Sequence, residues 1–299
     1  MLHLILYIVF SSVFTLTIKW VYNRGTEDIL TIGAINYIVA LVGIAPWLWL
    51  DGGQTGDPYA ILTGGLMGLV YFIAFFFVIY SVKLVGASAT TVVSVLSITM
   101  PITVAAFVWD AKPTVIQIGG IALALLSLCL IGIKPKTQGT NEPANEKEPK
   151  TAAPRTSAKF SAFILLSFFL LCGCSRICQE AFKHLAAIDQ KPTYLLSAFL
   201  VAALPSVGML LYRKQKIKTM ELAAGTVMGI SNGVQTFFIL RSLDFFEGYI
   251  VFTVTSAGGI IFTMLVATRL LGEKLSKLTY IGIAIAVVAL CLLNWNTSG

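Results

Sequence analysis

Polar residues in this chain fall in short clusters, separated by apolar runs about 20 residues long, and each run is long enough to cross about 30 Å of hydrocarbon. Ten such runs are candidate spans: Leu2–Tyr22, Thr31–Leu50, Tyr59–Val82, Val85–Trp109, Thr114–Ile133, Phe160–Ala181, Thr193–Tyr212, Met220–Leu240, Gly248–Leu271 and Leu278–Trp295. The runs are apolar nearly all round, so periodicity does not assign their secondary structure. Length does: barrel strands are short and alternate, whereas a continuous apolar run of this length spans as a helix. The expected fold class is all-α, a polytopic membrane protein of ten transmembrane helices.

Most connections between runs are short. The exception, residues 134–159, is rich in Pro, Lys, Glu, Thr and Asn and has no apolar cluster. Such a stretch buries too little surface to offset its ordering entropy, and reads as a flexible polar linker. It divides the chain into two units of five spans, 1–133 and 160–299. The units resemble each other in sequence. Gly64, Met67, Gly68 and Ser81 recur as Gly225, Met228, Gly229 and Ser242 at an offset of 161 residues. Asp110 and Gly119 recur as Glu273 and Gly282 at 163, and Ser11 and Lys19 as Ser175 and Lys183 at 164. Collinear matches with a slowly drifting offset are what a duplicated five-helix unit leaves. Because five is odd, the second unit enters the membrane inverted, the inverted-repeat plan common among secondary transporters.

Composition agrees with this reading and narrows it. The chain has 299 residues, 57% of them hydrophobic and 12% charged, against about 25% charged in soluble domains. Its net charge of +7 does not indicate nucleic-acid binding, because the Lys and Arg lie mainly in the short loops. No basic region precedes the first run, so a cleaved signal peptide is not expected. The five cysteines fall inside apolar runs and have no zinc spacing, and read as small buried hydrophobes. With two histidines, His3 and His184, and no clustered carboxylates, the chain offers neither a catalytic constellation nor a site for a metal or cofactor.

The polar residues inside the runs are the candidate site. Arg176, Gln179, Glu180 and Lys183 share one stripe about 100° wide on the sixth run. Charges at such a place face a bundle interior or a water-filled path. Two readings fit: a self-neutralised trio with Lys183 snorkelling outward, or a substrate site with Glu180 coupling a proton. Asn232, Gln235 and Thr236 share a face of the eighth run, and their carboxamides need either a helix or a substrate as partner. Asn36, Tyr37, Tyr71 and Tyr80 are further candidate lining residues, with Tyr80 alternatively an interfacial anchor. Gly225, Gly229 and Gly233, with Gly64 and Gly68 as counterparts, form small-x-x-x-small lines that bring helices close. Trp47, Trp49 and Trp295 read as interfacial belt residues. Pro101 is expected to kink the fourth span, whereas its counterpart Thr263 is not. Arg241, Asp244 and Glu247 sit where the eighth run turns into the ninth, as a salt-bridged loop or as a gate. Asp110 and Glu273 read as helix-capping acids.

The chain resembles the drug/metabolite transporter superfamily, as a tandem pair of EamA-type domains. The resemblance rests on the five-plus-five spans and on Leu271-Gly272-Glu273-Lys274 followed by Tyr280-Ile281-Gly282. Trp109-Asp110-Ala111-Lys112 followed by Ile118-Gly119 is a looser version in the first unit, and Lys19 and Lys183 near the end of each unit's first span add to it. The resemblance implies export or exchange of small metabolites, amino acids or drugs, often driven by protons, and both termini in the cytoplasm. The Lys and Arg distribution implies the opposite orientation: 16 of the 21 lie on the linker's side and four on the other. The expected function is alternating-access transport of a small solute in the cell (inner) membrane, by a monomer or homodimer. The rival readings are a lipid-linked sugar carrier or flippase, and a non-transporting membrane protein.

Overall fold

The structure is a computed structural model; it describes residues 2–25, 28–50, 56–108, 114–132, 158–186, 188–214, 216–245, 248–272 and 275–293. These form ten α-helices: α1 (Leu2–Asn23), α2 (Ile29–Leu50), α3 (Pro58–Leu96), α4 (Thr99–Val108), α5 (Val115–Gly132), α6 (Ala158–Leu185), α7 (Lys191–Arg213), α8 (Thr219–Phe245), α9 (Gly248–Leu270) and α10 (Lys277–Leu293). Six helices are long and apolar enough to cross a membrane, and α5, α10 and part of α9 are shorter apolar helices. Most of the linker, Asp110, Glu273 and Trp295 lie outside the described residues.

Helix bounds follow the apolar runs within a few residues except between the third and fourth. There the chain has no loop. The apolar stretch from Pro58 to Pro101 is 44 residues, about 66 Å if straight and too long for one crossing. It bends at Gly86, whose φ of 86° and ψ of 171° lie outside the helical region. That backbone is open to glycine and strained for any residue with a Cβ. A second interruption follows at Ser97 and Ile98. Pro101 has no N–H to give the Ser97 carbonyl, which accepts from Met100 N at 3.1 Å instead, and Ile98 N turns to Val95 O at 3.2 Å. The fourth span is therefore two helical pieces joined by a turn. Its counterpart α9 runs through Thr263 unbroken, in line with the asymmetry expected from Pro101.

Packing follows a doubled pattern. If α1, α2, α3, α4 and α5 are exchanged with α6, α7, α8, α9 and α10, the contact of α1 with α8 maps onto that of α6 with α3. Likewise α2 with α8 maps onto α7 with α3, and α1 with α9 onto α6 with α4. The glycine lines show why. A Cβ on Gly225 would lie 2.6 Å from Ile35, and one on Gly229 would lie 2.6 Å from the Asn36 carbonyl and Val39. A Cβ on Gly64 would overlap Ser197 and the Tyr194 carbonyl, and one on Gly68 the Ala198 carbonyl. The groove residues of α7 are those of α2 shifted by 162. One helix–helix contact is thus made twice, at backbone distance, because neither groove holds a side chain.

The caps of α2 and α7 also correspond. Asp28 caps α2, accepting from Thr31 Oγ1 at 2.8 Å, and is held by Arg213 Nη1 from the end of α7 at 3.3 Å. At α7 the equivalent pair is neutral: Thr193 Oγ1 donates to Gln190 Oε1 at 3.1 Å.

Candidate functional site

A cavity of about 210 Å³ lies between α1, α2, α3, α6, α8 and α9. Among the described residues that line it, Arg176 is the one charged side chain. The first unit supplies Tyr7, Ser11, Phe14 and Thr15 from α1, Tyr37 from α2, and Tyr71, Ala74, Phe75, Val78, Thr90, Thr91, Ser94 and Val95 from α3. The second supplies Phe168, Leu171, Cys172, Ser175, Arg176 and Gln179 from α6, Asn232, Gln235, Thr236 and Ile239 from α8, and Thr255, Ser256 and Gly259 from α9.

The lining obeys the repeat. Tyr71, Ala74, Phe75 and Val78 are followed 161 residues later by Asn232, Gln235, Thr236 and Ile239, and all eight line the cavity. Tyr7, Ser11 and Thr15 are followed 164 residues later by Leu171, Ser175 and Gln179, again all lining. The same helix faces are used in both units, with different chemistry. The first unit's wall is aromatic and hydroxylic, whereas the second carries a guanidinium and three carboxamides.

Local hydrogen bonds hold these groups in place. Tyr37 of α2 donates its hydroxyl to the Tyr71 carbonyl at 2.7 Å, fixing α2 on α3 beside the cavity. Gln235 Nε2 donates to Asn232 Oδ1 at 3.3 Å, one helical turn apart, and Thr236 Oγ1 to the Asn232 carbonyl at 2.6 Å. Gln179 Nε2 faces Met67 Sδ at 3.9 Å, a weak acceptor. Arg176 reaches the break in the fourth span: Nε donates to Ser97 Oγ at 3.1 Å, and Nη2 to the Ser94 carbonyl at 3.4 Å. A guanidinium has five N–H donors, and among the described residues only these two contacts engage it. No carboxylate of the described residues pairs with it.

Seven residues singled out from sequence come together here: Arg176, Gln179, Asn232, Gln235, Thr236, Tyr37 and Tyr71. Glu180, Asn36 and Tyr80 do not line the cavity. Glu180 is one position past Gln179 on α6, half-buried, with His184 Nε2 3.9 Å from its carboxylate. The stripe's 100° arc places Gln179 toward the cavity and Glu180 beyond its edge, so the i,i+4 pairing of Arg176 with Glu180 does not form. Asn36 is fully buried in the contact of α2 with α8, where its carboxamide meets no partner among the described residues. Arg241 lies over the rings of Trp47 and Phe237, 5.6 and 5.9 Å from their centroids. Asp244 is in the last turns of α8, its side chain outside the described residues, as is Glu247 altogether. Trp47 is not a belt residue: it is buried edge-on against Phe237 of α8. Tyr80 is at the outer surface beside Lys83. The hydroxyl residues Ser11, Thr15, Thr90, Thr91, Ser94, Thr255 and Ser256 were not singled out as lining. Their signal was the one used for the stripe, polar atoms on one face of an apolar helix.

No curated protein matches the chain. Among solved structures, the crystal structure of a protein aligns over 97% of this chain and 94% of its own at 16% identity, with a TM-score of 0.59; the likeness is one of fold. Residues 1–133 match the model of the EamA-like transporter family. That domain is of the drug/metabolite transporter superfamily, and with the several apolar helices it supports an integral, multi-pass membrane protein of transporter type.

Proposed function

We propose that the protein is a ten-span transporter of two inverted EamA-type units, and that it carries a small amphipathic carboxylate, of amino-acid type, by alternating access. The observation that carries this reading is the pairing of one unopposed guanidinium with an aromatic wall in a small central cavity. Arg176 offers a carboxylate a charge-assisted, forked partner. Gln179, Asn232 and Gln235 offer further donors and acceptors, and Tyr71 and Phe75 take the apolar part. A volume of about 210 Å³ is below the about 300–1,000 Å³ of pockets for drug-sized ligands. It favours a small metabolite over a lipid-linked sugar.

Rocking of one unit against the other about the two glycine grooves exposes the cavity alternately to each side. Glu180 enters as a proton-coupling carboxylate outside the solute's contacts, and Arg241, Asp244 and Glu247 as a gate at the end of α8. The protein works in the cell membrane as a monomer or homodimer. The test is counterflow of radiolabelled aromatic carboxylates in vesicles, beside the matching alcohols. Flux of the carboxylates alone supports the reading, and equal flux of acid and alcohol overturns the role of Arg176. Glu180→Gln is expected to remove the pH dependence of flux and leave solute affinity in place; an unchanged pH profile removes Glu180 from the mechanism.

A further inference from the structure

Arg176 and the broken fourth span meet across the boundary between the two units. In a continuous helix the Ser94 carbonyl would accept from Ile98 N. Here Ile98 N goes to Val95, and the freed carbonyl takes Ser97 Oγ at 2.6 Å and Arg176 Nη2 at 3.4 Å. The Ser97 hydroxyl proton is committed to that carbonyl, so its lone pairs face Arg176 Nε. One turn away on α6, Gly173 has no Cβ, and the side chain of Met100, just past the break, fills that space. In the other unit Ser12, at the position of Arg176, makes a neutral hydroxyl contact instead, accepting from Thr263 Oγ1 at 2.9 Å on an unbroken helix, where Thr263 stands at the position of Pro101.

We infer that the Ser94–Ser97 break is the resting partner of Arg176, and that an anionic solute displaces it. This rests on the anion site proposed above and adds a coupling to it. A hydroxyl oxygen and a carbonyl at 3.4 Å are neutral acceptors. A carboxylate is charged and accepts two parallel N–H groups at once, and therefore wins the guanidinium. Its arrival unties α6 from the fourth span, across the unit boundary. The break, held open by Pro101, then moves relative to α6 along the Gly173 groove. The Ser12–Thr263 tie carries no charge and does not respond. Solute binding thus loosens one inter-unit tie and leaves its counterpart closed. Ser97 is a positioning residue in this scheme: it touches Arg176 and not the solute.

The experiment uses the full chain in lipid nanodiscs, with benzoate as probe and benzyl alcohol as the uncharged control. Hydrogen exchange is read at the amides of Ile98, Thr99 and Met100. Benzoate is expected to speed exchange there by about tenfold, the loss of roughly one charge-assisted hydrogen bond, and benzyl alcohol to leave it unchanged. Arg176→Gln is expected to show the fast exchange without benzoate and no further change with it. Ser97→Ala removes a competing acceptor, so it is expected to bind benzoate about three- to tenfold more tightly. Benzoate binding that is lost in Arg176→Gln, with exchange unmoved and Ser97→Ala no tighter, overturns the displacement and keeps the anion site. Benzoate binding that is absent or indifferent to Arg176 overturns the anion site, and the displacement with it.

Discussion

The two walls of the cavity are built on the same helix positions, and they differ in what they offer a solute. Tyr71, Ala74, Phe75 and Val78 stand where the other wall has Asn232, Gln235, Thr236 and Ile239. The packing that supports the walls has not diverged in the same way. Gly64 and Gly68 receive α7 as Gly225 and Gly229 receive α2. A helix that must approach another at backbone distance has few alternatives to glycine. A residue facing a cavity has no neighbour to overlap, so its chemistry is free to change. The scaffold is therefore symmetric and the site is not.

Arg176→Gln breaks this comparison most severely. Hydrogen bonds to charged groups are worth about 1.5–3 kcal/mol, so carboxylate flux in vesicles is expected to fall by about 10- to 100-fold. Adding Ser12→Arg is expected not to rescue it, because Ser12 is absent from the described lining and bonded to Thr263. Rescue would mean that the two first helices are interchangeable. Next come the grooves. Gly68→Val and Gly229→Val each force a Cβ into a backbone carbonyl of the facing helix, and are expected to destabilise by about 1–3 kcal/mol. The thermal melts should match; a large effect at one site alone would show that the two contacts are not equivalent.

Gln235→Ala makes the second wall copy Ala74 of the first. It removes about one hydrogen bond, and KM for the carried carboxylate should rise about two- to tenfold with kcat near that of the parent. The smallest effect is expected at Asp28→Asn, which keeps the cap and removes the ion pair with Arg213. Both partners are partly exposed, so the cost is about 0–1 kcal/mol and should vanish at high salt. A salt-independent loss would mean that the cap, not the charge, holds that end.

The sequence revealed much of this scaffold. Runs of apolar residues have one helical solution in a bilayer, so the spans could be placed within a few residues. The glycine lines and the cavity positions of Arg176, Gln179, Asn232, Gln235 and Tyr71 could be read because polar atoms and missing Cβ groups are conspicuous on an apolar helix. Glu180 was harder, since a stripe 100° wide leaves open which edge faces inward. Asn36 and Trp47 were placed by tertiary contact with α8, which no local pattern announces. The break at Ser97 was half legible. Pro101 predicts a lost hydrogen bond at the Ser97 carbonyl, but the guanidinium that takes up the freed Ser94 carbonyl comes from α6, 82 residues away.

The bend at Gly86 bears on how the protein can be handled. The third and fourth spans are joined through one glycine, with Val82 and Ala87 to Thr90 buried around it. An epitope tag or protease site inserted there would have to unmake two spans, and the protein should not survive it. On the proposed ten-span topology the exposed residues 216–218 between α7 and α8 lie on the same side of the membrane, two hairpins further along. An insertion there should fold, and would report for both places which face of the bilayer they share.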